Sequence, residues 1–155
     1  MNNVLKFYKD FPKAGINFVD IMPFLQNKEV FNRLMAAVGE ACTTANIVAP
    51  EARGFLFAAP LLCTADKVKN IVSVRKSGKL PFAEGDLKEV LIEKEYGHHK
   101  LYYRLSDIAA GELAGDVFEL TILDDVLATG GTAEGLAESL NALRIVRDGK
   151  EYGVK

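Results

Sequence analysis

The hydrophobic and polar positions of this chain alternate between helix-like and strand-like spacing. After an irregular start over residues 7–24, apolar residues recur at helical spacing from Asn27 to about Ala45. This spacing predicts a helix with one buried face and with Asn27 as its N-terminal cap. The short apolar runs at residues 47–49, 71–74 and 117–123 are typical of buried strands.

Two further helices are predicted after these strands. One extends from about Phe55 to Asp66 and contains Pro60, which must lie near the first turn or kink the helix. The other opens at Thr132 and places leucines on one face. The remaining segments predict two strand arms at 88–96 and 100–105, one helical turn capped by Ser106, and a turn at Asp148-Gly149 between two short strands.

Strands that alternate with helices indicate an α/β fold with a mainly parallel central sheet flanked by helices. In such sheets, ligands bind beyond the carboxyl ends of the strands. Three of the predicted strands end in polar or glycine-rich loops. These loops are therefore the candidate functional site.

Length and charge narrow the class of protein. A chain of 155 residues with 49 % hydrophobic residues fits a single domain with one core. The formal net charge of −2 argues against general binding to nucleic acid or to anionic membranes. Cys42 and Cys63 lie in apolar segments and are expected to be core residues in a reducing compartment, which favours a cytoplasmic location.

The segment from Thr121 to Thr132 carries the most specific chemistry. An apolar strand is followed by Asp124 and Asp125, then by a loop of small residues, and then by the predicted helix. Gly130 and Gly131 let the backbone turn tightly and approach a ligand. The free N–H groups and the positive dipole end of the helix, together with threonine hydroxyls, predict a phosphate site.

The paired acids need a different explanation. Adjacent carboxylates at a strand end repel each other and are costly to desolvate. Asp124 and Asp125 are therefore predicted to accept hydrogen bonds from a diol such as the ribose 2′- and 3′-hydroxyls, with a nearby Mg²⁺ easing their repulsion. The loop is not a Walker A loop, since no lysine follows its glycines.

With these features in view, the chain resembles the adenine branch of the type I phosphoribosyltransferases. Residues 124–132 resemble the family's signature for binding 5-phosphoribosyl-1-pyrophosphate (PRPP). Residues 11–21 resemble its N-terminal hood, residues 51–55 its pyrophosphate loop, and residues 75–81 and 95–97 its basic loop and its mobile catalytic loop. Five motifs in the same order are more specific than any one of them.

The resemblance implies a role for each motif residue. Pyrophosphate contacts would come from the two loops after the first strands, where a cis peptide bond is expected at Glu51–Ala52 and arginines can form bidentate bonds. The 5′-phosphate of PRPP would be held by Ala128, Thr129, Gly130, Gly131 and Thr132. The ribose would contact Asp124 and Asp125, and the pyrophosphate would contact Glu51, Ala52, Arg53, Arg75, Lys76 and Lys79.

The same resemblance implies the reaction, in which a purine nitrogen displaces pyrophosphate from PRPP with Mg²⁺ as cofactor. Arg53 would assist catalysis, Glu95 would handle the purine proton or stabilise the ribosyl cation, and Tyr96 would close over PRPP and exclude water. Phe18 would stack on adenine and the backbone near Val19 would read its edge. The resemblance also implies a cytoplasmic homodimer whose substrates are adenine and PRPP. Nucleic acid and membranes are not expected as partners.

The resemblance also implies an organisation: one domain over residues 1–155, with a hood at about 7–24, a core at about 27–155 and a flexible loop at about 82–105. One more strand is expected after Tyr152–Lys155, where the chain ends.

His98 and His99 are expected to form an exposed turn and not a metal site, because neighbours on an extended segment point to opposite faces.

Two alternatives stay open on the sequence alone. One is a related enzyme that uses hypoxanthine, guanine or xanthine, although the hood sequence argues against it. The other is a PRPP-binding regulator without catalysis, although Arg53, Glu95 and Tyr96 are all present. These alternatives differ in base choice and in turnover, so both are open to a direct assay.

Overall fold

The computed structural model describes residues 4–94 and 97–155, without the side chains of residues 93, 94, 97 and 98. The chain divides into two compact units, Met1–Val38 and Gly39–Lys155. The boundary falls inside a helix that the sequence predicted.

The first unit contains a small antiparallel hairpin and two helices. Its elements are β1 (Lys6–Lys9), β2 (Asn17–Asp20), α1 (Met22–Leu25) and most of α2 (Lys28–Ala41). The backbone N–H of Val30 donates to Oδ1 of Asn27 at 3.1 Å, so the predicted N-terminal cap of α2 is confirmed.

The second unit holds the sheets and the remaining helices. Its elements in chain order are β3 (Asn46–Pro50), α3 (Arg53–Thr64), β4 (Asn70–Lys76), β5 (Leu87–Lys94), β6 (Gly97–Arg104), α4 (Leu105–Ala109), β7 (Val117–Phe118), β8 (Leu120–Ile122), α5 (Gly131–Asn141), β9 (Arg144–Arg147) and β10 (Lys150–Val154). Among the described residues, no helix has the length and hydrophobicity that a membrane span requires.

A five-stranded sheet in the order β5-β6-β4-β3-β8 forms the centre of this unit. Strands β4, β3 and β8 are parallel, whereas β6 runs antiparallel to β4 and pairs antiparallel with β5. The α/β class is thus confirmed, but the sheet is mixed and not mainly parallel. The reason is that the predicted strand arms form a hairpin which extends the sheet from its β4 side.

The parallel part of the sheet is the most buried. Every residue of β3 is buried, as expected for a central strand covered on both faces. Helix α3 packs against β3 and β4, while α5 packs against β5. The hydrophobic core includes Tyr103, Phe118 and Leu136, each 0 % exposed.

Several local predictions need correction. Of the two alternatives for Pro60, a place near the first turn is excluded, because the proline lies inside α3, which begins at Arg53. Ser106 lies within α4 and caps nothing there; its hydroxyl instead donates to Oδ2 of Asp86 at 2.7 Å. Cys42 is buried, as expected, but Cys63 is exposed on α3.

The end of the chain forms its own three-stranded sheet. The predicted strand at 117–123 is split into β7 and β8, and β10 pairs with both β7 and β9. The predicted turn at Asp148-Gly149 joins β9 and β10 as a hairpin. Ile145 and Val154 enter the core from this hairpin, so the last residues contribute to packing although the central sheet ends at β8.

A buried asparagine ties this region to the parallel strands. Asn46, at the start of β3, is 1 % exposed. Its Nδ2 donates to the carbonyl oxygens of Glu112 at 2.8 Å and Glu119 at 2.9 Å, and its Oδ1 accepts from the N–H of Glu112 at 2.8 Å. One side chain thus satisfies three backbone groups of the segment that leads into β8.

We predict that Asn46→Ala lowers the free energy of unfolding by about 3 kcal/mol, because it leaves these buried backbone groups without partners. Urea unfolding measures the change. Asn141→Ala, at the exposed end of α5, is the matched control and should change stability by less than ~0.5 kcal/mol. Equal effects of the two substitutions would contradict the role given to Asn46.

Candidate functional site

The loop between β8 and α5 encloses a cavity at the carboxyl end of the parallel strands. The cavity has a volume of about 180 Å³. All five residues predicted to hold a phosphate line it: Ala128, Thr129, Gly130, Gly131 and Thr132. The space therefore lies where the first turn of α5 directs its backbone N–H groups.

Glycine is required at the entrance to this helix. Gly130 precedes α5 with a φ of 86°, a left-handed conformation that side chains with a Cβ rarely adopt. Having no side chain, Gly130 cannot cap the helix in the way that serine or aspartate would. The first N–H groups of α5 and the positive end of its dipole thus remain directed at the cavity.

A second cavity of about 310 Å³ adjoins the first and shares Asp124 and Thr132 with it. It is formed by the segments that follow β3 and β8, together with the end of β4 and the first half of β6. Its polar and charged lining residues are Glu51, Arg53, Lys76, His99, Asp124, Asp125 and Thr132. The structure therefore brings together residues from three of the predicted motifs.

A glycine also allows two of these loops to meet. Gly54, in the first turn of α3, is buried, and a Cβ placed there would lie 3.1 Å from the carbonyl oxygen of Leu123 and 3.4 Å from Oδ1 of Asp124. These distances are at or below ordinary contact, so a side chain would push the loops apart. The absence of a side chain at Gly54 therefore lets the segment that carries Arg53 lie close to Asp124.

Arg53 and Asp125 form an ion pair at the base of the second cavity. The Nε atom of Arg53 lies 2.9 Å from Oδ2 of Asp125, whose side chain is only 5 % exposed. Within the described part of the chain, this oxygen accepts no hydrogen bond of good geometry, so the contact is an ion pair by distance alone. The pair compensates the charge of a buried carboxylate.

Arg75 and Glu51 form a second, better-aligned pair. The Nε of Arg75 donates to Oε2 of Glu51 at 2.7 Å. Burial opposes ionisation of Glu51, but the hydrogen bond from Arg75 and the positive charges of Arg75 and Lys76 outweigh it, so the pKa of Glu51 lies below its usual range. The peptide bond between Glu51 and Ala52 is cis, which confirms that expectation.

The two acids after β8 have different surroundings. Oδ1 of Asp124 accepts a hydrogen bond from the N–H of Asp125 at 2.9 Å. Burial of its carboxyl group, and secondarily the neighbouring Asp125 carboxylate, raise the pKa of Asp124 from 3.8 to about 6, against the opposing effects of that N–H and of Arg53. Asp124 is exposed as a residue, so the desolvation is confined to the carboxyl group.

Not every predicted site residue belongs to these cavities. In the described part of the chain, Lys79 lies on an exposed turn after β4 and lines neither cavity. Phe18 and Val19 lie on β2 of the first unit, where Phe18 packs edge-to-face against Phe11 with ring centroids 5.2 Å apart. Their role in binding a base stays a prediction.

Two catalytic residues predicted from the sequence, Glu95 and Tyr96, lie outside the described residues, so their roles also stay predictions. Among the polar residues that line the two cavities in the described part of the chain, one was missed. His99 was expected in an exposed turn, but it is half-buried in β6 and lines the second cavity. Period-two alternation with the apolar Leu101 and Tyr103 was the signal that placed it on the inner face.

An α/β sheet whose carboxyl edge combines an open helix N-terminus with paired carboxylates is the architecture of the type I phosphoribosyltransferases. Comparison with known proteins identifies the branch. Adenine phosphoribosyltransferases of Mycoplasmopsis pulmonis and Clostridium acetobutylicum are 39 % and 38 % identical to this chain, each alignment covering 92 % of this chain and 78 % of the relative. No family model matches the chain.

Solved structures identify the same family as the sequence relatives do. The crystal structure of adenine phosphoribosyltransferase from Thermoanaerobacter pseudethanolicus has a TM-score of 0.77 at 37 % identity, covering 92 % of this chain and 78 % of that one. The enzyme of Saccharomyces cerevisiae, complexed with an imino-altritol bisphosphate and adenine, has a TM-score of 0.73 at 36 % identity, covering 90 % and 77 %. The chain therefore belongs to the adenine phosphoribosyltransferase family.

We predict that Asp124→Asn raises the free energy of unfolding at pH 7 by about 1 kcal/mol, a value reduced for solvent screening. The pKa of Asp124 is raised, so the wild-type chain holds this proton more tightly when folded and loses stability as the pH rises from about 4 to about 6. The Asp124→Asn variant has no carboxyl to titrate at this position, so its stability should not show this fall as the pH rises.

Urea unfolding between pH 4 and 7 in metal-free buffer checks this expectation. Asp66→Asn, which removes an exposed acid, is the control. Identical pH dependence in the wild type and in Asp124→Asn would show that the carboxyl of Asp124 is not desolvated.

Proposed function

We propose that this protein transfers the 5-phosphoribosyl group of PRPP to adenine, giving AMP and pyrophosphate in purine salvage. The observation that carries the proposal is the pair of adjoining cavities at one edge of the sheet. One has the open helix N-terminus that suits a monophosphate, and the other combines carboxylates with cations, as a ribose bearing a diphosphate requires. Membership of the family supports the choice of reaction.

The small cavity is proposed to hold the 5′-phosphate. The N–H groups at the start of α5 and the hydroxyls of Thr129 and Thr132 are the donors available there. Asp124, which lines both cavities, and Asp125, which lines the large one, are proposed to accept hydrogen bonds from the ribose hydroxyls. The sugar of PRPP would then lie where the two cavities meet.

The large cavity is proposed to hold the pyrophosphate. Arg53 and Lys76 line it, together with Glu51 and Ala52. Arg75 is held by Glu51 beside this wall, and Lys79 follows on the next turn. Arg53, whose Nε lies 2.9 Å from Oδ2 of Asp125, is proposed to meet the leaving group through its guanidinium.

The proposed reaction forms a bond between a purine ring nitrogen and the anomeric carbon while the bond from that carbon to pyrophosphate breaks. The ribosyl group becomes more positive and the leaving group more negative, so cations around the leaving group stabilise the transition state more than the ground state. Glu95 is proposed to handle the purine proton or to stabilise the ribosyl cation, and Tyr96 to exclude water.

Mg²⁺ is the proposed cofactor and would neutralise the growing charge on the pyrophosphate. Among the residues that the structure describes, no three His, Cys, Asp or Glu side chains come together as a metal site. The lining fits an ion that arrives with PRPP, since Mg²⁺ keeps several waters and needs only one or two carboxylates besides phosphate oxygens. The carboxylates of Asp124 and Asp125 would face its water shell.

Adenine is proposed to stack on Phe18, with the backbone near Val19 reading its edge. The yeast enzyme solved with adenine supports this base at the family level. The homodimer and the cytoplasmic location are part of the same proposal and rest on the family resemblance.

Product formation from PRPP and Mg²⁺, with adenine, hypoxanthine, guanine and xanthine supplied separately, tests the function. We expect AMP from adenine and at least 100-fold lower turnover of the other three bases, because a site that hydrogen-bonds one purine edge leaves polar groups unpaired with another. Preferred turnover of another base would overturn the assignment of adenine. Absence of turnover with any base, despite PRPP binding, would overturn the assignment as an enzyme.

The proposed roles of Arg53 and Asp125 predict a large kinetic effect. Arg53→Ala and Asp125→Asn should each lower kcat/KM for PRPP by about 100-fold, because each removes a contact to charge or hydroxyl groups in the transition state. Arg33→Ala, at an exposed position of α2, is the matched control and should leave kcat/KM unchanged.

Urea unfolding of the same variants separates catalysis from folding. Removing Arg53 alone leaves the Asp125 carboxylate without its ion-pair partner, so the double variant Arg53→Ala, Asp125→Asn should regain stability but not activity. Rates close to wild type in both single variants would exclude this site for PRPP.

A further inference from the structure

His99 is the lining residue of the large cavity to which the proposed reaction gives no role. It lies in β6, where its backbone pairs with Ile92. Its side chain lines the 310 Å³ cavity together with Leu101, two residues further along the same strand face. The opposite face of β6 carries Lys100 and Tyr102, which donate to the exposed Glu89. The imidazole is therefore on the side of the strand that faces the site.

The charge of this cavity is not balanced for an anionic ligand. Two cations, Arg53 and Lys76, line it, against three carboxylates, those of Glu51, Asp124 and Asp125. The Glu51 carboxylate is already paired with Arg75, which lies beside the cavity, so these two charges compensate each other. Arg53 is, moreover, already paired with Asp125. A diphosphate that enters this space would gain from any further positive charge.

Each element around the cavity contributes to the field at His99. The loop after β3 supplies Glu51 and Arg53, the end of β4 supplies Lys76, and the loop after β8 supplies Asp124 and Asp125. The ordinary pKa of an imidazole, about 6.5, places its charge change near neutral pH, where the Asp124 carboxyl, with its pKa raised to about 6, also titrates. Protonation of His99 would add one positive charge to the lining of the cavity.

We infer that His99 binds the diphosphate group of the substrate and of the product, its protonated imidazole donating an N–H to a diphosphate oxygen. The inference rests on the proposed function, because it takes the large cavity as the pyrophosphate site. His99 forms and breaks no covalent bond in this role. It acts on the affinity for PRPP and pyrophosphate and makes that affinity depend on pH.

The direction of the pH effect follows from the charge. Below the pKa of the imidazole, His99 carries a positive charge and both ring nitrogens donate. Above that pKa the charge and one donor are lost, so the contribution of His99 to diphosphate affinity falls as the pH rises. Affinity for the purine, which carries no such charge, should not follow this profile.

Calorimetric titration with inorganic pyrophosphate at fixed Mg²⁺ concentration, at pH 5.5 and pH 8.5, tests the inference without relying on turnover. We expect wild type to bind about tenfold more tightly than His99→Gln at pH 5.5, the effect of one charge-assisted hydrogen bond. The ratio should approach one at pH 8.5. Comparing two chains at the same pH removes the titration of pyrophosphate itself from the result.

Two further variants make the test specific. Lys100→Gln removes a positive charge from the opposite face of the same strand and should bind pyrophosphate as wild type does at both pH values. His99→Lys keeps a charge that persists at pH 8.5, so its affinity relative to His99→Gln should stay about tenfold higher at both pH values. Weak binding by His99→Lys at both would overturn the role given to the charge.

The remaining outcomes are equally decisive. A wild-type to His99→Gln ratio near one at pH 5.5, or a ratio that does not change with pH, would overturn the inference. Adenine turnover by the same preparations at pH 8.5 is read in parallel. Turnover without any His99-dependent pyrophosphate affinity would refute the inference alone, whereas His99-dependent affinity without turnover of any purine would refute the proposed enzyme and leave a diphosphate site.

Discussion

The pairing of β3 with strands on both sides is the constraint on which the site depends. Val48 is in register with Val72 of β4 and with Ile122 of β8, so the three parallel strands end at the same edge. The ladder continues beyond the strands, with the N–H of Glu51 donating to Val74 at 2.8 Å and the N–H of Leu123 donating to Val48 at 2.9 Å. These bonds hold three loops, distant in sequence, side by side.

These loops carry charged side chains whose burial would be costly without a partner of opposite charge. The side chains of Asp125 and Glu51 are 5 % and 10 % exposed, and each forms an ion pair with an arginine from a different segment. Such pairs contribute little net stability, since desolvation offsets much of their attraction. What they provide is a set of charges fixed in place before a ligand arrives, which is the arrangement that favours electrostatic stabilisation of a transition state.

The sheet that surrounds this edge is built from two kinds of strand. The parallel strands supply loops at their carboxyl ends, whereas the antiparallel strand β6 pairs with the end of β4 at the same edge. His99 enters the site for this reason, because the start of an antiparallel strand lies beside the end of β4. A purely parallel sheet would have placed a loop there and not a strand face.

Local information was sufficient for elements with a strong signal of their own. Three of the predictions depend only on residues close in sequence, and all three are confirmed. They are the cap at Asn27, the hairpin turn at Asp148-Gly149 and the glycine loop before α5. Ser106 was misplaced because Asp86, distant in sequence, accepts a hydrogen bond from its hydroxyl. The place of Pro60 depended on the helix boundary, because α3 begins at Arg53, earlier than its apolar residues alone indicated.

The sequence by itself determined the α/β class, the family and the motif residues that line the two cavities, since these follow from periodicity and from short contiguous patterns. The tertiary structure alone decided that the sheet is mixed, that Arg53 pairs with Asp125 and Arg75 with Glu51, and that His99 faces the cavity. The physical reason is strand register. Which side chains share a low-dielectric space depends on how strands far apart in the chain align, and no local pattern encodes that alignment.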